Sequence, residues 1–191
     1  MKKVFSLIFL PLSVYSFAQS GSVTPGATLL FQNVKNKLAP AEKDQIFKQL
    51  GFLLLKDKKQ FIIPGGEDFP FEAFAYPTDL NKDGKEEVFV SYGNSYTSGQ
   101  AGQSIVLFIK DASGKYQTHL GFPGTVPDAL PASASKYPDL VIGGPGFEFP
   151  VWRWNGKGYA LQRKIKEQEL LKLKATNIAE VSKVYTSTLK E

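Results

Sequence analysis

The chemistry that can be read from this chain lies in one run, Asp79-Leu80-Asn81-Lys82-Asp83-Gly84-Lys85-Glu86-Glu87, which passes directly into the apolar Val88-Phe89-Val90. Oxygen-bearing side chains recur at alternate positions, and a glycine stands where a chain wrapping a small cation must turn sharply. A hard cation of calcium's size takes about six to eight oxygens at flexible distances. Asp79, Asn81 and Asp83 would offer side-chain oxygens and Lys85 its backbone carbonyl, with Glu87 closing the site from the start of a strand. The spacing therefore predicts bound Ca2+ in a structural role. Magnesium fits less well, because it takes fewer protein ligands and keeps more of its water. The competing reading is a metal-free turn whose carboxylates cap nearby backbone N–H groups. Crowding Asp79, Asp83, Glu86 and Glu87 without a cation would be repulsive, which favours the metal.

Other chemistries are excluded or left without support. The 191 residues contain no cysteine and one histidine, His119, so zinc sites, Ser-His-Asp triads and Cys-His dyads cannot be assembled. His119 alternates with polar neighbours and is expected on the wet face of its strand. Gly143-Gly144-Pro145-Gly146 follows a strand but lacks the lysine of a phosphate loop, and reads as a turn. Trp152 and Trp154 share one strand face. Paired indoles can bind sugar rings, but core packing is the expectation here. A carbohydrate-active enzyme would need two facing carboxylates near those indoles, and the sequence singles out no such pair. The expectation is a non-enzymatic protein.

The elements that must position the loop follow from hydrophobic spacing. Met1-Lys2-Lys3, the apolar run Val4 to Phe17 and Ser16-Phe17-Ala18 have the layout of a signal peptide over 1–18, so the chain is expected to be exported, periplasmic or secreted. Without a cysteine there is no lipoprotein anchor, and no second run reaches membrane-spanning length. A flexible lead is expected over 19–26 and one globular domain over 27–191. The net charge of +5 includes Lys2 and Lys3, and the remaining basic residues are dispersed among acids, which argues against a nucleic-acid partner.

Leu30, Val34 and Leu38 predict a helix from Ala27, and Pro40 opens a second helix that Gly51 stops. Strands are expected over 52–55, 60–63, 71–76, 88–92, 104–110, 115–120, 140–142, 150–154 and 159–163. Asn155-Gly156-Lys157-Gly158 makes a hairpin of the last two. Gly93 to Gln103 and Gly121 to Pro138 read as long loops, the places to look first for partner binding. Ile178, Val181, Tyr185 and Leu189 give the tail from Thr176 a helical apolar face.

An internal repeat is visible. Glu87-Val88-Phe89-Val90-Ser91-Tyr92-Gly93 matches Asp139-Leu140-Val141-Ile142-Gly143-Gly144, and each is followed by a hairpin with a Gly/Lys/Tyr turn: Gly114-Lys115-Tyr116 and Gly156-Lys157-Gly158-Tyr159. The second copy has lost the oxygen ligands at Ser133-Ala134-Ser135-Lys136-Tyr137. Asp79-Leu80-Asn81-Lys82-Asp83-Gly84 with a trailing acid and an apolar strand resembles the FG-GAP/VCBS type of calcium repeat of integrin-like β-propellers, over roughly residues 76–159. That pattern usually ends in Asp, and Glu87 is longer. In a helix-flanked EF-hand the eighth and twelfth positions are aliphatic and acidic, whereas here they are Glu86 and Val90, so a helix-opening switch is not expected. Two copies cannot close a propeller, which needs about four or more blades.

The expected fold is α+β. It is mainly an antiparallel β-domain of two degenerate FG-GAP-like units, with N-terminal helices and a C-terminal amphipathic helix packed on it. The expected function is calcium-stabilised binding of a protein or glycan partner. Ser113-Gly114-Lys115-Tyr116 is also similar to the Ser-Gly-x-Tyr loop of periplasmic lysozyme inhibitors. That resemblance implies an alternative, inhibition of a cell-wall hydrolase by insertion of Ser113 and Tyr116. The same four residues also make an ordinary hairpin turn.

Overall fold

The computed structural model describes residues 22–57, 59–131, 135–144, 146 and 148–190. The expected signal peptide, and the lead up to residue 21, lie outside them. Helix α1 (Pro25–Phe31) already begins inside the expected lead, with Pro25 in the first turn, where its missing N–H costs nothing. Gly26 lets α1 approach the next helix, since a Cβ there would lie 2.2 Å from the Phe47 ring. The helix ends at Phe31 rather than running on to Leu38, which is buried from an extended segment instead. Helix α2 (Pro40–Leu50) runs from the expected proline to the expected glycine. Glu42 accepts a bond from the Ala39 N–H, and Gly51 takes the left-handed C-cap at φ 70°.

The short hairpin β1 (Leu53–Leu54) and β2 (Phe61–Ile62) follows. Strands β3 (Ala73–Thr78), β4 (Glu87–Tyr92), β5 (Ser104–Lys110) and β6 (Tyr116–Pro123) then form a four-stranded antiparallel sheet in chain order. Strands β7 (Asp128–Ala129), β8 (Leu140–Val141), β9 (Glu148–Trp154) and β10 (Tyr159–Lys166) form a second antiparallel run in chain order, and β11 (Thr176–Asn177) adds to β7. Both expected long loops hold structure. Between β4 and β5 the chain forms a turn of helix, α3 (Ser95–Ser98), capped by the Asn94 side chain, and then a 3₁₀ turn at Gly99–Ala101. The 121–138 stretch contains the end of β6 and all of β7. Helices α4 (Glu167–Leu170) and α5 (Ile178–Ser187) complete the order.

The two sheets face each other. Val88, Val90, Val106 and Phe108 of the first sheet pack against α1, α2 and the β1–β2 hairpin through Leu30, Ile46, Phe52 and Phe61. The alternate residues Phe89, Ile105, Leu107 and Leu120 meet Leu140, Ile142, Tyr159 and the two tryptophans of the second sheet. Val151 and Ile165 on the far side are covered by Leu170 and Leu173. Strand β4 is therefore buried on both faces, which is why it reads as a continuous apolar run. The architecture is mainly antiparallel β with a few helices, as the spacing implied. No helix among the described residues is long and apolar enough to cross a membrane.

The repeat has a physical counterpart. Each half is a four-stranded antiparallel meander, β3–β6 and β7–β10. The fourth strand of each opens on a tyrosine whose hydroxyl donates to the backbone carbonyl just before the acidic residue: Tyr116 to Glu86 and Tyr159 to Pro138, both at 3.0 Å. Each fourth strand also carries a register shift against the third, which leaves His119 and Gln162 unopposed. Both bulged residues stand three positions after the tyrosine.

Candidate metal centre

The loop from Asp79 to Glu86 joins β3 to β4, and the pair Thr78–Glu87 closes the ladder at its base. The fully buried Thr78 donates its hydroxyl to the Glu87 carbonyl at 3.2 Å. Lys82 (φ 59°) and Gly84 (φ 80°) take left-handed conformations, and the glycine supplies the sharp turn required of it. Backbone N–H groups then bind one side of each acid or amide. Asp79 Oδ2 accepts from Gly84 (3.1 Å), Asn81 Oδ1 from Asp83 (2.9 Å) and Asp83 Oδ1 from Lys85 (3.0 Å). Glu87 Oε2 accepts from Leu80 (2.8 Å).

One oxygen is left over. Asp79 Oδ1 is buried and has no hydrogen-bond partner. Glu87, 2% exposed, has its carboxyl pushed up to about 8 by burial, against the bond from Leu80 and with Asp83 and Asp79 adding negative charge. Partial burial opposes ionisation of Asp83 too, but the Lys85 N–H, Asn81 and Lys136 together hold it below its ordinary value. Among the described residues, no group of three or more His, Cys, Asp and Glu side chains is gathered closely enough to hold a metal ion. The loop thus brings Asp79, Asp83 and Glu87 within electrostatic reach of one another without drawing their oxygens to one point. Asn81 and Asp83 touch directly, with the amide donating to Asp83 Oδ2 at 3.1 Å.

The second meander shows what the first lacks. At the corresponding place Asp139, also buried, is held by Arg153 in a forked pair, with Nε to Oδ1 at 3.0 Å and Nη2 to Oδ2 at 2.7 Å. Among the described residues no basic side chain pairs with Glu87. An unpartnered buried oxygen and an uncompensated buried acid, in an all-oxygen donor set, suit a hard cation.

Several residues act differently from what their spacing suggested. Glu86 does not crowd the loop. Its side chain turns to the opposite side, where both oxygens accept from the Lys37 N–H (2.8 and 2.9 Å) and Oε1 also accepts from the Tyr185 hydroxyl (3.2 Å). Tyr116 is fully buried, so it has no surface with which to enter an enzyme cleft, and Ser113 is tied to Asp111 Oδ1 within its turn at 2.7 Å. Trp152 stacks on Phe122 at 5.0 Å, and Trp154 packs edge-on to Tyr137 at 4.7 Å. Neither indole forms an open platform, in keeping with the core expectation. His119 is not on a wet face. The bulge turns it toward Trp154, 5.2 Å away, and burial there lowers its pKa.

Two residues that carry no ligand pattern matter at the site. Lys136, from the degenerate copy, places its ammonium 3.4 Å from Asp83 Oδ2. Tyr137, 2% exposed, lies beside the same loop, where burial and the nearby Glu87 raise the pKa of its hydroxyl. The one signal for them was their place in the repeat, just before Asp139. Comparison of the chain with protein-family models, with curated proteins and with solved structures gives no match.

Proposed function

We propose that the chain is a non-enzymatic exported β-domain in which Ca2+ has a structural role and the work done is binding of a protein or glycan partner. The observation that carries the metal is the contrast between the two meanders: Asp139 has Arg153, whereas among the described residues no basic side chain pairs with Glu87 and Asp79 Oδ1 is buried without a partner. Asp79, Asn81, Asp83, the Lys85 carbonyl and Glu87 would hold the ion. Bound there, calcium would offset two of the three carboxylate charges and fasten the turn to the first residue of β4.

The FG-GAP/VCBS-like identity of the two units belongs to this proposal. It is supported by the four-stranded antiparallel meander, which is also the unit of a propeller blade. Export rests on the pattern of residues 1–18.

Calcium added to the protein after chelation should release heat in a titration and raise the melting temperature, and Asp79→Ala should abolish both effects. An open surface loop of this kind falls in the weak extracellular class, with Kd of about 0.1 mM or above. At roughly 50 times Kd, linkage gives about 2 kcal/mol of added stability. That corresponds to about 4–8 °C for a domain of this size. No heat together with an unchanged melting temperature would reject the site.

A further inference from the structure

We propose that the stacked rings of Phe69 and Tyr96, with the carboxylates of Glu67 and Asp68 beside them, receive a basic side chain of a protein partner, arginine above all. This names a partner class for the binding module proposed above and rests on that reading, but not on calcium. The two rings come from different loops. Phe69 closes a turn in which its N–H donates to the Gly66 carbonyl at 3.0 Å, and Tyr96 stands in α3. Their planes are 6° from parallel and their centroids 4.0 Å apart. Phe69 remains 45% exposed and Tyr96 51%, so the fold does not use them as core.

A single side chain fixes both loops. The Asn94 amide donates to the carbonyls of Phe69 (3.1 Å) and Pro70 (3.2 Å), while its oxygen accepts from the N–H groups of Tyr96 (3.0 Å) and Thr97 (3.3 Å). Gly66 completes the support, since a Cβ there would lie 3.3 Å from the Tyr96 ring and 2.9 Å from the Ile63 side chain. The rings are thus held in place before any partner arrives, which lowers the ordering cost of binding.

The chemistry of the pair favours a cation. Aromatic rings carry negative faces and prefer offset or edge-on contact, with centroids about 4.5–7 Å apart. Phe69 and Tyr96 lie closer than that and nearly parallel, so two negative faces are brought together, and a cation laid on an outer face offsets their repulsion. Glu67 and Asp68, both exposed, are the central residues of the Gly66–Phe69 turn, and among the described residues no base pairs with either. The stretches 64–70 and 93–103 contain these two acids and no lysine or arginine, in a chain whose basic residues outnumber its acids by 23 to 18. Elsewhere Lys37, Lys43, Lys110 and Lys136 lie over the chain's own rings at 5.0–5.9 Å, yet among the described residues no cation covers Phe69 or Tyr96. A guanidinium suits the place better than an ammonium, because it is planar, stacks on a ring face and forks to a carboxylate.

A phage-displayed library of random heptapeptides, panned against the full chain in calcium and again in EGTA, tests this, with a glycan array probed in parallel. The expected winners carry an arginine at one common position. The best of them, made synthetically, should bind Tyr96→Ala about tenfold more weakly than the parent, and the paired change Glu67→Gln with Asp68→Asn should weaken it to a similar degree. The second variant keeps the shape of two exposed side chains, so it gives the answer even if Tyr96→Ala disturbs α3. No enrichment of basic peptides in either condition, or arginine peptides that bind both variants as tightly as the parent, would overturn the proposal. Glycan binding that Tyr96→Ala abolishes, with no basic peptide enriched, refutes it while leaving the binding module standing. Ring-dependent peptide binding that persists in EGTA supports it even where the calcium titration is silent, so the two readings fail separately.

Discussion

Glu86 ties the Asp79–Glu87 loop to the rest of the molecule, and removing it has consequences that can be worked out in advance. Its carboxylate is 4% exposed and receives the Lys37 N–H on both oxygens and the Tyr185 hydroxyl on one. The first bond fastens the α1–α2 connection, and the second fastens α5. Glu86→Ala deletes the acceptor for both donors. Hydrogen bonds to a charged acceptor contribute about 1.5–3 kcal/mol each, and a donor left unpaired under protein costs a similar amount. Against this stands the relief of a desolvated charge, since burial raises the Glu86 pKa above its ordinary value despite the bonds it receives. The balance is a loss of about 3 kcal/mol, or roughly 6–12 °C in melting temperature at 2–4 °C per kcal/mol.

Glu86→Gln separates the two contributions. Its amide oxygen can still accept from Lys37 and Tyr185, and it carries no charge to desolvate, so it should lie within about 1 kcal/mol of the parent. Urea unfolding followed by circular dichroism, with calcium held constant, measures both variants. If Glu86→Ala proves as stable as the parent, the carboxylate does not clamp these elements. If Gln costs as much as Ala, the charge itself matters and the hydrogen-bond argument is wrong.

Four further outcomes follow from the same geometry. Tyr116→Phe and Tyr159→Phe each remove a hydroxyl bonded to a backbone carbonyl and should cost about 1–2 kcal/mol apiece, similar in size if the tyrosines are true equivalents, as chemical unfolding would reveal. Arg153→Met strips the forked partner from the buried Asp139, and chemical unfolding should find the variant less stable than the parent, by less than for a fully buried pair because Arg153 is half-exposed. His119 has its folded pKa lowered by burial, so the unfolded chain takes up a proton first, and stability falls as pH drops below the ordinary histidine value of about 6.5. Melting temperatures at pH 7.5 and 5.5 should show a smaller fall in His119→Gln than in the parent. Lys136→Gln should leave metal-free stability within about 1 kcal/mol, because its pair with Asp83 is exposed, yet calorimetry should find calcium bound several-fold more tightly once the competing ammonium is gone.

What could be read in advance was local. The Pro40 start and Gly51 stop of α2, the limits of β5 and the Asn155–Gly158 hairpin are each set by a few adjacent residues, and they stand where spacing put them. Strand β7 could not be seen, because Asp128–Ala129 is a strand only by pairing with β8 and with Thr176–Asn177, far along the chain. The bulge at His119 defeated the simple alternation. Tyr116 and Leu120 are four apart and should share a face, yet they lie in the cores on opposite sides of the sheet. At the site, the oxygen-bearing positions were legible as a set. The direction of Glu86 was not, since nothing local distinguishes it from Glu87 except strand parity, and only the Thr78–Glu87 pairing fixes which of the two faces the loop.

The two meanders can be seen as two treatments of one electrostatic difficulty. Each buries an acid at or beside the start of its second strand and anchors the carbonyl before it with a tyrosine hydroxyl from the fourth strand. Burying that charge costs several kcal/mol unless something compensates it. In the second meander the compensation is covalent to the chain: Arg153 reaches across from β9 and removes the need for an ion. In the first, no arginine stands opposite Glu87, and the loop supplies oxygens instead. Lys136 and Tyr137, which precede Asp139 in the second meander, lie against the Asp79–Glu87 loop of the first. A charge change at Asp83 or Glu87 is therefore felt directly between the sheets. The loop also begins where β3 ends and is bound through Glu86 to α5, so the ion that would settle its charge would stiffen that strand and that helix together.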